Sequence, residues 1–404
     1  MYIKAQPEIL NKIKIYHFHN GSGGGVLSVI KNLVKFSSND KIENHVIHAV
    51  NKNLFPEFKI EAMEGAITQQ VYFYSPSNNF YYTCRQLAKL LPSDKAIIVA
   101  HDWVELGMVS NLGLQNKVVH ILHGNYEYYY TLAINHQKII DAFVCISPII
   151  FNNLKCKISY NLEKIFYLNF PVENLKIKNK KNDGFNIFYA AGNLKDENKQ
   201  FKIVIKVAEI ICKMLPDVFF TIAGSGFTET EFYELWPSEL KRNVIYKGLI
   251  KNEKLLNILT DQDVFLLPSL LEGFPVSLIE AMKAGVVAMV TDWDNAVDEL
   301  ITPGVTGFYF KVGAVNDYVQ CIKRLYADSV LLKSISQNGI ERANAFFEPY
   351  KNTQKFEELY LTVSNKNTDK KNPFKVYGSR LDEQYIPNAI TTFIRNLTKK
   401  NLVF

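Results

Sequence analysis

The chain has 404 residues, of which 48% are apolar and 21% charged. That is ordinary globular usage, and the length makes two domains the expectation, with three as the upper bound. Disorder and a disulfide scaffold are excluded as whole-chain descriptions, and no run nears the ~20 apolar residues of a membrane span.

In chain order, KIYHFHN (14–20), ENHVIHAV (43–50), QVYFY (70–74), AIIVAHDW (96–103), VVHILHG (118–124), AFVCIS (142–147) and IFYLNF (165–170) read as strands. Between them, 25–37, 79–91, 126–140 and 148–155 have helical spacing. Continuous apolar strands alternating with helices predict a parallel sheet covered on both faces. At 174–184 the polar, basic stretch NLKIKNKKNDG reads as a linker. The alternation then restarts with FNIFYAAG (185–192), VFFTIAGSG (218–226), NVIYKG (243–248), DVFLLPS (263–269) and VVAMVT (286–291), and helices dominate 314–364. The expected organisation is two doubly wound α/β domains, 1–175 and 176–364, followed by a basic tail over 365–404.

The first residues lack the apolar core of a signal peptide. Cys84, Cys145, Cys156, Cys212 and Cys321 are scattered, with no C-x-x-C pair. Both features fit a reducing, cytoplasmic setting and argue against structural zinc. The net charge of +6 is too small to imply nucleic acid, and nearly all of it lies after Asn365, where eight Lys and Arg face three acids. A solvated tail and a peripheral contact with an anionic membrane surface both account for it. In that tail Ile386, Ile390, Phe393, Ile394 and Leu397 fall at i, i+3/i+4 spacing after Pro387. The expectation is a last helix over 386–397 whose Ile386, Ile390, Phe393 and Ile394 face packs on residues before about 175. The competing picture is an in-plane helix on a membrane, with Lys399 and Lys400 near headgroups.

Two stretches carry chemistry. GSGGGVLSVIKNLVKF (21–36) is a Gly-rich turn feeding a helix, which brings backbone amides close to a ligand. It departs from the dinucleotide fingerprint at Val26, and no acid ends the next strand, so NAD is not indicated. In LLPSLLEGFPVSLIEAMKAGVVAMVT (266–291), Glu272 precedes a helix and Glu280 lies within it. Between them the first amides of that helix, at Val276 and Ser277, can meet phosphate. Two carboxylates beside an anion make sense when they hydrogen-bond hydroxyls, as on ribose and a sugar, while amides and a cation take the phosphate.

Glu272-Gly273-Phe274 and Glu280, followed by Ala281-Met282-Lys283-Ala284-Gly285, resemble the E-x(7)-E signature of the retaining family 4 glycosyltransferases. Gly192-Asn193-Leu194 with Lys199 resembles that family's phosphate loop, and Ile222-Ala223-Gly224-Ser225-Gly226 its Gly-rich turn. Tyr246-Lys247-Gly248, Thr306-Gly307-Phe308, Gly24-Gly25-Val26 and His123-Gly124 also fall in family order, over roughly 1–364. The resemblance implies the GT-B fold: two Rossmann-like doubly wound domains facing a cleft, with a C-terminal helix crossing back to the first.

It further implies a hexosyltransferase that moves a sugar from a nucleotide diphosphate sugar, with UDP the commonest base, to a glycan or lipid-linked acceptor in bacterial surface polysaccharide assembly. No cofactor or metal is expected. Glu272, His123 and Lys199 are the implied catalytic residues. Gly24, Gly25, Asn193, Lys199, Gly224, Gly248, Leu249, Gly273, Phe274, Val276, Ser277 and Glu280 are the implied donor-binding residues. His101, Tyr126 and Tyr128 are the acceptor-side candidates. Asn193 replaces the family's usual Arg, which Lys195 or Lys202 would have to offset. A sugar-nucleotide epimerase and a non-catalytic glycan- or nucleotide-binding protein are the alternatives. Asp292-Trp293-Asp294 is read as a polar turn rather than a metal site, and the strand histidines His17, His19, His45 and His48 as core or rim residues.

Overall fold

The computed structural model describes residues 12–92, 96–158, 161–175, 184–250, 252–273, 275–293, 297–367 and 370–398. The chain divides into two compact units, Met1–Pro171 with Tyr350–Phe404, and Val172–Pro349.

In the first unit the elements run β1 (Ile13–His19), α1 (Gly25–Lys35), β2 (Ile42–Asn51), β3 (Thr68–Tyr74), α2 (Phe80–Ala88), β4 (Ile97–Ala100), α3 (Trp103–Leu112), β5 (Lys117–Leu122), α4 (Glu127–His136), β6 (Ala142–Cys145), α5 (Pro148–Lys157) and β7 (Ile165–Tyr167). The sheet order is β3-β2-β1-β4-β5-β6-β7, and every pairing is parallel. β4 is buried along its whole length and β5 nearly so, as strands covered on both faces must be.

α3 is not expected from the sequence, where the fourth strand reads on to Trp103. Eight of its ten residues are buried, so it carries no amphipathic period to detect. Its start is nonetheless written in Asp102-Trp103-Val104-Glu105. The Asp102 carboxylate caps the helix, and Glu105 reaches back to the backbone N–H groups of Asp102 and His101 at 2.6 and 2.7 Å.

The second unit runs β8 (Phe185–Asn193), α6 (Phe201–Met214), β9 (Val218–Ser225), α7 (Glu229–Glu234), β10 (Val244–Tyr246), α8 (Asn252–Leu259), β11 (Val264–Leu267), α9 (Val276–Lys283), β12 (Val287–Thr291), β13 (Phe308–Phe310), α10 (Val315–Ala327) and α11 (Ser329–Phe346). Its sheet order is β10-β9-β8-β11-β12-β13, again all parallel. Its core runs through Ile187, Val204, Phe220, Phe232 and Met289.

Two further helices, α12 (Pro349–Asn365) and α13 (Asn388–Thr398), close the chain. The helical run to 364 suggested a place for α12 in the second domain; it groups instead with the first unit. Its buried Glu357 accepts the Ser37 hydroxyl at 2.7 Å and the Ser38 and Asn39 amides at 3.0 and 3.1 Å. The tail follows it there. Buried Lys371 donates to the Asp141 carboxylate at 2.8 Å and to the Asn116 carbonyl at 2.6 Å.

α13 docks on the first unit, as the crossing-back expectation required, but by the opposite face. Thr391 and Arg395 are buried, while Ile390, Phe393 and Leu397 are exposed. The reason is hydrogen bonding. The β3–α2 turn leaves the Pro76 and Asn78 carbonyls pointing outward, and Arg395 takes them at 3.3 and 2.5 Å while pairing with Asp382 at 2.5 Å. Buried polar groups left without such partners would cost more than an exposed leucine.

Candidate active site

In open parallel sheets, ligands bind beyond the carboxyl ends of the strands, where the strand order reverses direction. In the second unit that switch lies between β8 and β11. Lys199, after β8, meets Glu272, after β11, with Nζ to Oε1 at 2.7 Å. Glu272 is buried and Lys199 half-buried. Asn198 locks the two loops together. Its amide group donates to the Leu271 carbonyl at 2.9 Å and accepts the Leu271 N–H at 3.0 Å, while its carbonyl accepts the Leu270 N–H at 2.8 Å. Nothing in the sequence marked Asn198, because its partners are backbone groups some seventy residues away. The Tyr189 hydroxyl fixes the Lys199 carbonyl from below at 2.8 Å.

Gly273 and the first turn of α9 follow Glu272. Pro275 stands at the N-cap and supplies no side-chain acceptor, and the first turn has no acid. The amide-rich end at Val276 and Ser277 therefore keeps its preference for an anion. Glu280 is buried on the same helix, one turn further on. Phe274 lies outside the described residues.

The neighbouring strand ends complete the rim. Gly224, next to last in β9, has φ +152°, and a Cβ there would stand 2.4 Å from the Ala191 carbonyl oxygen. Only glycine lets β9 pass the end of β8 so closely. Asn193, at the end of β8, is exposed and turns its side-chain oxygen to the Lys195 amide at 3.0 Å. It thus serves its own turn, and supplies no cation in place of the family's Arg. Gly248 accepts the Gly224 N–H at 2.8 Å, and Leu249 beside it is 71% exposed. The structure therefore gathers Gly224, Gly248, Leu249, Asn193, Lys199, Glu272, Gly273, Val276, Ser277 and Glu280 along the carboxyl ends of four adjacent strands.

The first unit has the same switch between β1 and β4. Gly24, with φ +98°, turns the chain into α1, and Gly25 opens that helix. Asn20, after β1, donates to Asp102, after β4, at 2.7 Å, and the Tyr128 hydroxyl donates to the other carboxylate oxygen. His101 and His123 share a hydrogen bond at 2.7 Å, with their rings stacked 5.0 Å apart. One ring donates and the other accepts, which requires at least one neutral imidazole. Burial pushes both pKa values down, His123 to about 3. Glu105 behind them is raised to about 7, first by burial and then by the Asp102 charge.

His101, His123 and Tyr128 are thus brought together. Tyr126, at the N-cap of α4, lies beside Tyr129, their rings 6.4 Å apart. Asp102 and Asn20 join the group without a motif that marks them as site residues. Asp102 is legible as the start of a capping box with Glu105; Asn20 carries no signal beyond its place before the Gly-rich turn. The strand histidines His17, His19, His45 and His48 are buried, as expected of core residues. Asp294 of the D-x-D string lies outside the described residues, among which no group of three His, Cys, Asp or Glu is placed to hold a metal ion. Nor, among them, is any helix long and apolar enough to cross a membrane.

Residues 171–342 match the family model described as glycosyl transferases group 1. Among curated proteins, an Escherichia coli UDP-Gal:alpha-D-GlcNAc-diphosphoundecaprenol alpha-1,3-galactosyltransferase is 28% identical over 37% of this chain and 38% of its own. The Bacillus subtilis putative glycosyltransferase EpsD is 26% identical over 50% of this chain and 52% of its own. The chain thus spans about half or less of the length of these relatives. Among solved structures, a mutant of Staphylococcus aureus TarM, in complex with Fondaparinux, alpha-GlcNAc-glycerol and UDP, superposes with a TM-score of 0.69 at 15% identity, covering 88% of this chain and all of that one. Anabaena HepE in complex with UDP gives 0.67 at 15% identity, over 87% of this chain and all of that one. These likenesses identify the two-domain architecture as GT-B.

Proposed function

We propose, taking residues 171–342 as a glycosyl transferases group 1 domain, that the chain is a retaining hexosyltransferase using a nucleotide diphosphate sugar. The observation that carries the reading is the junction of Lys199, Glu272 and the open N-terminus of α9 at the sheet's switch point, with Glu280 on the same helix. In this reading the α9 amides and Lys199 hold the diphosphate and stabilise the charge that grows on it as the glycosidic bond breaks. Glu280 accepts the ribose hydroxyls. Glu272, held by Lys199, faces hydroxyls of the transferred sugar. The strand end at Gly248-Leu249 borders the base, and a donor phosphate oxygen takes the acceptor proton.

Asp102, Asn20, Tyr128 and the neutral His101–His123 pair form the acceptor side, a set of donors and acceptors suited to sugar hydroxyls. UDP as the nucleotude and a lipid-linked or glycan acceptor in bacterial surface polysaccharide assembly are supported by the names of the relatives and neighbours. A peripheral position on the inner membrane face goes with a lipid-linked acceptor. In this reading Lys199 and the α9 amides serve the diphosphate without a metal. Thermal shift with a panel of nucleoside diphosphates, followed by donor hydrolysis with the matching nucleotide sugars, tests the reading. A selective rise in melting temperature and slow release of free sugar are expected. Interconversion of the nucleotide sugar without release would point to an epimerase, and binding without turnover to a non-catalytic protein.

A further inference from the structure

Holding α13 by its polar face has a consequence for the other side. Asn388 accepts the Asn79 N–H at 2.7 Å, Thr391 donates to the Leu381 carbonyl at 2.9 Å, and Arg395 reaches the Asp382 carboxylate and the Pro76 and Asn78 carbonyls. The Asn79 amide group meanwhile donates to the Leu381, Glu383 and Ile386 carbonyls at 2.9–3.0 Å. The helix is therefore fixed in orientation before any partner arrives. Ile390, Phe393 and Leu397, at i, i+3 and i+7, point outward at 50%, 65% and 69% exposure, and Ile386 and Ile394 widen the stripe at its half-buried edges. Scattered exposed apolar residues need no explanation, but a contiguous apolar row on an anchored helix does.

We propose that this outward face of α13 lies in the headgroup–acyl boundary of an anionic bilayer. The inference deepens the reading of a membrane-side acceptor, and rests on that reading only for why a membrane is near. Charge selects lipid over a second copy. Within the tail, Lys371 is committed to Asp141, Lys375 to Glu383 and Arg395 to Asp382. With those pairs set aside, the chain flanking α13 carries Arg380 before it and Lys399 and Lys400 directly after its last residue in sequence, with no uncommitted acid between Arg380 and Lys400. A two-fold contact through α13 would bring that positive excess against itself, whereas an anionic surface attracts it. An amphipathic helix with its apolar face outward and cations adjoining it in sequence is the form such binding takes. Because α13 is already folded and docked, contact carries no ordering cost.

The test is sedimentation of the full chain with vesicles of phosphatidylglycerol and phosphatidylcholine, against vesicles of phosphatidylcholine alone. The wild-type chain should partition onto the anionic vesicles, less so at high salt. The triple variant Ile390→Ser, Phe393→Ser, Leu397→Ser should lose at least about tenfold in partitioning, since each buried side chain of this size contributes roughly a factor of ten or more. Its melting temperature should stay close to wild type, because the three side chains are 50–69% exposed in the folded chain. As a second measurement, Phe393→Trp should give emission quenched by brominated acyl chains. Absence of wild-type binding, equal binding by the triple variant, or an unquenched Phe393→Trp would each overturn the proposal. So would a lipid-free wild-type dimer that the triple variant converts to monomer. Donor hydrolysis without vesicles separates the two readings: its absence from a wild-type chain that still binds anionic vesicles would sink glycosyl transfer and leave the membrane contact standing.

Discussion

Glu280 and Glu272 share a residue type but occupy different settings. Glu280 is buried within α9, while Glu272 is tethered to Lys199 in the loop before it. Glu280→Gln keeps the shape and removes charge-assisted hydrogen bonds worth roughly 1.5–3 kcal/mol. Calorimetry with the preferred nucleoside diphosphate should show about a tenfold or greater loss of affinity, and unchanged binding would remove Glu280 from the ribose. Lys199→Met deprives Glu272 of its partner and the diphosphate of a cation. Turnover should fall by about 10² or more, the scale seen when one preorganised donor is removed. Wild-type turnover should persist in excess EDTA; full loss, restored by manganese, would overturn the metal-free account. In the first unit, Asp102→Ala removes a helix cap worth about 1 kcal/mol together with the partner of Asn20 and Tyr128. The acceptor KM should rise while donor hydrolysis holds. A parallel fall in donor hydrolysis would exclude an acceptor-side role.

Among the elements, α3 and α13 show how packing overrides pattern. α3 is buried on nearly every side, so its sequence has no polar face and reads as a continuation of β4. α13 has a strong amphipathic pattern, yet its apolar side is outside. The energetic reason is the Arg395–Asp382 pair, whose side chains are 3% and 1% exposed. Asp382 also accepts the Phe80 N–H at 2.7 Å and the Ser379 N–H at 2.7 Å. Arg395→Met therefore strands a buried carboxylate that keeps two amide donors. Removing one member of a buried pair costs about 3–5 kcal/mol, and those amides place the expected loss at the lower end. Urea unfolding followed by circular dichroism measures it. A loss below about 1 kcal/mol would show that α13 is not held by this pair.

For the molecule as a whole, titration is lopsided. All eight histidines lie between His17 and His136, within the first unit. Burial lowers their pKa values: His17, His19, His120 and His136 fall to about 4, and His123 to about 3. In the unfolded chain they titrate near the ordinary 6.5. Between those values the unfolded state binds more protons, so stability falls as pH falls. The contribution is fully present above pH 6.5 and is lost progressively towards pH 4, at up to about 1.4 kcal/mol per unit for each histidine. The first unit should therefore unfold before the second on acidification. Trp103 reports on the first, and Trp236 and Trp293 on the second. Coincident loss of both signals, or stability flat from pH 7 to 5, would contradict this.

The two parallel sheets were determined by the sequence itself, because strands buried on both faces are continuous apolar runs and amphipathic helices separate them. The order of the glycine turns and of Glu272 and Glu280 was equally legible, since backbone approach and helix-end chemistry act over a few residues. What the sequence left open depends on partners far along the chain. Asn198 latches onto Leu271, Asn20 meets Asp102, and Arg395 finds carbonyls in the turn at Pro76–Asn78. Hydrophobic period reports only how much of a helix can be buried. Which side is buried is decided by the hydrogen bonds the neighbouring surface needs satisfied, and those exist only once the chain has folded.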